Sequence, residues 1–225
     1  LRLAAGSLPP ADKYPATSDK QPATMLTRHR EITLMAIFIA LANAGGLFLA
    51  QFPNIELVTV IIFLGGVLLG VVRGIIIGAV AEFLYSFFNP YGVAAPPLLA
   101  AQVISMAFAG ASGGLMRNFF GQQPPIGLLG FAGFSLTFVF DLLTTLSFTV
   151  SLGSGLAGFL AAATFGFYFY LAHQISNTLI FVLLLPILLR HLRQLTVLQA
   201  FLPIAKTISR PELQLSLGFP PERKS

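Results

Sequence analysis

The chain has no cysteine and no tryptophan among its 225 residues, and only 9% of them are charged. Without cysteine there is no disulfide framework, no thiolate nucleophile and no cysteine metal site, and nothing about compartment follows. Without tryptophan, an aromatic belt at a membrane surface has to come from tyrosine and phenylalanine, of which there are 5 and 22. Scarce charge excludes a soluble surface for most of the sequence, and a chain that is 56% hydrophobic belongs in a bilayer. Three scattered histidines, His29, His173 and His191, suggest no metal cluster. No GxxxxGK[ST] stretch is present, so nucleotide hydrolysis is not expected in this chain. The expectation is a protein that is not an enzyme, with no catalytic residues, no cofactor and no bound metal.

Residues 1–24 are polar, proline-bearing and aperiodic, and Met25 follows them directly. They are expected to be disordered tail, or sequence upstream of a true start at Met25. The domain division that follows is a disordered or non-native tail over 1–29, a transmembrane domain over 30–190 and a cytoplasmic tail over 191–225. In that last segment, residues 192–202 have the pattern of a short basic amphipathic helix on the membrane surface.

A hydrocarbon core about 30 Å thick needs roughly 20 apolar residues per helical crossing. By that measure about six spans are expected, near 32–50, 55–72, 74–88, 97–116, 126–150 and 163–189. The second and third are the shortest, and Gly66, Gly70, Gly74 and Gly78 also fit a closely packed hairpin. Arg28, Arg30, Arg73, Arg117, Arg190 and Arg193 all fall on one side of these spans, whereas the alternate loops at 51–54, 89–97 and 151–162 contain no Lys or Arg. Cytoplasmic loops accumulate those residues, so both termini are expected in the cytoplasm. The same asymmetry accounts for the formal charge of +5 without any nucleic-acid partner.

Ionisable groups at membrane depth are costly and are by default functional candidates. Glu56, Glu82, Asp141 and His173 are the ones here. Asp141 shares a helix face with Thr137, Thr144, Thr145 and Phe148, while Phe169, His173, Ser176 and Asn177 form a second stripe. Gln102, Ser105 and Ala109 form a third file; packing alone explains a lone Gln or Ser about as well as function does. Glu82 fits a fold-holding pair with His173 or Arg73 as well as a place in a cavity wall. With no Lys or Arg between Arg117 and Arg190, a pocket would offer acids, amides, hydroxyls and rings. Such a lining suits a neutral or cationic, flat, hydrogen-bonding ligand.

Four stretches carry a resemblance to a known family. They are Ala36, Ala40 and Ala44 in small-xxx-small spacing; FPNIELVTVIIFLGGVLLG; RGIIIGAVAEFLYSFFNPYG; and PPLLAAQVISMAFAGASGGL. Over about residues 30–190 the chain resembles the substrate-binding S components of energy-coupling factor (ECF) transporters, the vitamin-uptake branch of ABC transport. The resemblance implies an all-α integral membrane protein, a six-helix bundle in the cell membrane with both termini inside, that captures a micronutrient at its outer face. It also implies partners: a membrane-embedded T component, driven by two cytoplasmic ATPases. The alanine strip Ala36, Ala40 and Ala44 is the region implied for T-component contact. For the ligand only a region-level correspondence exists, and polarity and depth nominate Asn54, Glu56, Asn89, Tyr91, Gln102, Asp141, Thr145, His173 and Asn177. The absence of tryptophan leaves the vitamin unassigned, and metal uptake is not expected because the histidine-bearing N-terminus of the nickel and cobalt branch is missing.

Two other classes stay open. One is a stand-alone proton-coupled permease relaying through Asp141 and His173. The other is a non-transport membrane scaffold, in which small-residue faces only assemble helices.

Overall fold

The computed structural model describes residues 21–121, 123–192 and 194. They form six helices with no strand among the described residues: α1 (Gln21–Leu49), α2 (Val58–Leu69), α3 (Val71–Phe88), α4 (Pro96–Phe120), α5 (Ile126–Ser151) and α6 (Gly155–Leu192). Five are long and apolar enough to cross a membrane, and large apolar side chains such as Phe131, Phe165 and Leu183 cover their outer surfaces. The chain reads as a multi-pass membrane protein.

The expected second span is the exception. At about 1.5 Å per residue, 12-residue α2 extends about 18 Å, well short of a hydrocarbon core. Its apolar run is cut at both ends. The Glu56 carboxylate accepts the Thr59 backbone N–H at 2.9 Å, which places negative charge at the helix start. Gly70, with φ 95°, stops it at the other end in a conformation that side chains resist. Between those stops Val60, Ile62, Phe63, Val67 and Leu68 are fully buried, and α2 contacts each of the other five helices. A helix apolar on every side belongs at the centre of a bundle, and α2 is that centre.

Glycine decides how closely its neighbours approach. The chain reverses at Gly70, bringing Gly74 against Gly66, so the hairpin reading of those glycines is the one adopted. A Cβ on Gly110 would strike the Gly74 carbonyl oxygen, one on Gly78 the Met106 carbonyl, and one on Gly113 the Phe63 carbonyl. These backbone contacts lock α4 against both arms of the hairpin, the small-residue solution to packing where apolar area alone gives little. Residues 110–114, GASGG, have the spacing of a hydrolase nucleophile elbow, but they lie inside α4 as part of this packing, with no strand-to-helix turn.

Helices α5 and α6 form the other half, an antiparallel pair in which Gly133 meets Phe181 and Thr137 meets Asn177. α6 begins at Gly155 rather than near 163, because the connection is only a tight turn with Gly153 at φ 62° and Gly155 at φ 60°. Its 38 residues span about 57 Å. α1 likewise extends back to Gln21, into residues expected to be tail. Residues 1–20 of the tail expected over 1–29 lie outside the described residues, and so does the 192–202 surface helix apart from Leu192 and Gln194.

Cationic groups gather at one end. Arg73 pairs with Glu31 (Nη2 to Oε1, 2.7 Å), and Arg117 donates to the Leu68 carbonyl at 2.9 Å. On α1, Phe38, Ala42 and Gly46 face the core while Ala36, Ala40 and Ala44 are exposed on the other side. Asn43, left open by sequence, ties α1 to α3 by donating to the Ile39 and Ala81 carbonyls at 2.9 and 3.2 Å.

Candidate functional site

The polar residues collect at the end opposite the arginines, where the α1–α2 loop, residues 50–57, folds across the bundle. Asn54 turns the chain with φ 61°, a value that asparagine tolerates better than most residues. Its carbonyl accepts the Ser176 hydroxyl of α6 at 2.7 Å. The Tyr91 hydroxyl donates to the Ala50 carbonyl at 2.7 Å, and Asn89 Oδ1 accepts the Tyr91 N–H at 2.9 Å. The α3–α4 loop is thereby fastened to the α1–α2 loop, with Tyr91 laid over the gap.

Beneath lies a cavity of about 200 Å³. Phe52, Asn54, Glu56, Tyr91, Gln102 and His173 line it, together with Glu82, Tyr85, Met106 and Phe140. Phe140 also meets His173 edge to face, with ring centroids 6.0 Å apart.

Glu56 is the knot of this end. Besides Thr59, its Oε1 accepts Asn177 Nδ2 at 2.9 Å, and His173 Nε2 stands 4.0 Å away. Asn177 is fully buried and donates as well to the Thr137 hydroxyl at 3.0 Å. His173 uses its other nitrogen, Nδ1, to donate to Asp141 Oδ1 at 2.8 Å. The ring therefore faces a carboxylate on each side, a continuous file Asp141, His173, Glu56 from α5 through α6 to the loop.

Of the residues nominated from sequence, Asn54, Glu56, Tyr91, Gln102 and His173 line the cavity. Asn89, Asp141, Thr145 and Asn177 do not. Asn89 holds Tyr91 and Asn177 holds Glu56, whereas Asp141 and Thr145 border a separate lateral cleft of about 160 Å³ with Tyr170 and Gln174. There the Thr145 and Tyr170 hydroxyls bond at 2.6 Å. Asp141 is half-buried at that cleft, and it reaches the cavity only through the His173 ring, whose Nδ1 it accepts.

The part played by Asp141 can be tested with any small molecule that co-purifies with the protein. Asp141→Asn retains an acceptor for His173 Nδ1 but loses the charge, and is expected to weaken binding about tenfold at most. Asp141→Leu, which leaves Nδ1 unpaired, is expected to cost more. Equal affinity across the three forms, measured by equilibrium dialysis, would reduce Asp141 to packing.

Glu82 is the residue whose place the sequence left undecided. Neither expected partner holds it: Arg73 pairs with Glu31, and His173 is committed to Asp141 beside Glu56. Instead Glu82 faces the cavity. Tyr85, Phe140 and Met106 were not singled out. Tyr85 sits at i+3 from Glu82 and had a readable signal in EFLYSFFN, where Glu82, Tyr85, Ser86 and Asn89 share one helix face.

No known protein-family model matches the chain, and neither does any curated protein or any solved structure.

Proposed function

We propose that the chain is the substrate-capturing S component of an ECF-type transporter. In this reading the loop-covered end faces outward, both termini are cytoplasmic, and the cavity takes a small neutral or cationic micronutrient. The observation that carries the reading is the exposure of Ala36, Ala40 and Ala44. The strip is not used by its own bundle, and a flat surface of small side chains suits a helix that approaches closely and then separates. A partly open cavity with acid, amide and ring side chains in its wall, at the Lys/Arg-poor end, supports the same division of labour: capture here, and energy from a T component and two ATPases.

Native mass spectrometry of protein purified from its own host tests the cavity. A single co-purified molecule is expected, without two carboxylates or phosphates, because the lining holds two carboxylates and neither Lys nor Arg. A polyanionic ligand would overturn the charge argument.

One observation favours a second reading. The file Asp141, His173 and Glu56, with separations of 2.8 and 4.0 Å, is a possible route for a proton, as a stand-alone proton-coupled permease would need. Uptake that survives loss of every candidate ATPase but stops when the proton gradient is collapsed would select it.

A further inference from the structure

We infer that the molecule held in the cavity carries a positive charge with N–H donors, and that Glu82 is the residue that receives it. The inference rests on the proposal that this cavity is a ligand site, and it narrows the ligand from neutral or cationic to cationic.

The two carboxylates in the cavity wall differ in what surrounds them. Glu56 has Thr59, Asn177 and His173 around it. Its bonding capacity is used by the protein. Glu82 is only 2% exposed, and among the described residues no Arg, Lys or His nitrogen comes within ion-pair distance of it. The hydroxyl one turn along, Ser86, is a neutral neighbour that Glu82 shares with Gln102, whose Oε1 lies 3.3 Å from it. Glu82 is thus a buried acid that opens onto a cavity and has no cation of its own.

Leaving such a group ionised without a counter-charge is strongly unfavourable, and a cation brought by a ligand removes that penalty. The arginine on the same helix, Arg73, lies at the far end of the bundle and is engaged there by Glu31. The rest of the wall suits a flat cation. Tyr85, Tyr91, Phe52 and Phe140 present rings to the same space, and aromatic faces attract cations. At about 200 Å³ the cavity lies below the roughly 300–1,000 Å³ usual for drug-sized ligands, which favours one ring or a compact pair. A ligand with a planar amidinium or aminoheterocycle cation meets each of these conditions.

Benzamidinium and benzamide probe the idea directly, since they share shape and size and differ in charge. The full chain in detergent, freed of endogenous ligand, is titrated with each by calorimetry. The unaltered protein is expected to prefer benzamidinium by about tenfold or more. Glu82→Gln, matched in size, is expected to erase that preference, and Glu82→Asp to retain part of it. Equal binding of the two probes would overturn the inference, as would a preference that survives Glu82→Gln or no binding of benzamidinium up to about 10 mM. Where Glu82→Gln fails to fold, the preference of the unaltered chain decides. Failure of the transport proposal looks different: uptake independent of any ATPase, with the benzamidinium preference intact, would leave this inference standing.

Discussion

Ala40→Trp is expected to reduce uptake by cells to background and to abolish co-purification with a T component, while the isolated protein keeps its ligand affinity. The two faces of α1 are the reason. Phe38, Ala42 and Gly46 repeat every four residues on the buried side, and Gly46 lies against Tyr85 in the cavity wall. Ala36, Ala40 and Ala44 repeat with the same spacing on the exposed side, two residues and therefore about 200° away. An indole at position 40 points out of the bundle, so the fold and the cavity have no reason to respond. Under the transport proposal, a partner helix seated against the strip would. Overpacking a close contact costs up to about 3 kcal/mol, roughly a hundredfold in affinity. Two assays on the same variant separate the possibilities. Uptake at the normal rate would leave the strip facing lipid only, and loss of ligand binding would show that α1 packs differently from the arrangement described above.

Hydropathy and charge made most of this architecture legible, and the places where they misled have physical causes. The second span was drawn too long because its apolar run continues on both sides of α2, and composition does not register the stops. One stop is a carboxylate, Glu56, that bonds the backbone of Thr59; the other is a backbone angle at Gly70. α6 starts earlier than expected because SLGSGLAG reads as an extended loop, although the turn itself needs only the residues around Gly153 and Gly155. In the candidate site, depth and polarity nominated residues that the fold gathers at one end but could not rank members of one stripe. Asp141 and His173 are equally conspicuous in sequence, yet only His173 lines the cavity, while Asp141, paired with it across α5 and α6 at 2.8 Å, lines the lateral cleft. Glu82 shows the converse. Its position on α3 is periodic and readable, but its role depends on which distant arginine or histidine is free to pair with it, and that is decided only when Arg73 meets Glu31 and His173 meets Asp141.

The knot at Glu56 leads to the second large effect. Glu56→Leu is expected to abolish ligand retention and to destabilise the protein by about 3 kcal/mol, the scale for removing one member of a buried polar network. A leucine leaves Asn177 Nδ2 without one of its acceptors in a fully buried position and removes the side-chain acceptor from the Thr59 N–H at the start of α2. It also takes away the carboxylate facing His173 Nε2. Glu56→Gln separates geometry from charge. The glutamate uses both oxygens, Oε2 for the Thr59 N–H and Oε1 for Asn177, whereas an amide has one oxygen to offer and must give up one of the two. The expected order of thermal stability is therefore wild type, then Glu56→Gln, then Glu56→Leu, with ligand affinity falling in the same order. Because the residue ties the α1–α2 loop to α2 and α6 together, the loss should appear as faster proteolysis within residues 50–57 while the long helices resist. Should Glu56→Leu match the wild type in both stability and ligand retention, the loop is held by Tyr91 and Ser176 alone, through Ala50 and Asn54, and the cavity owes its shape to backbone contacts and not to the buried acid.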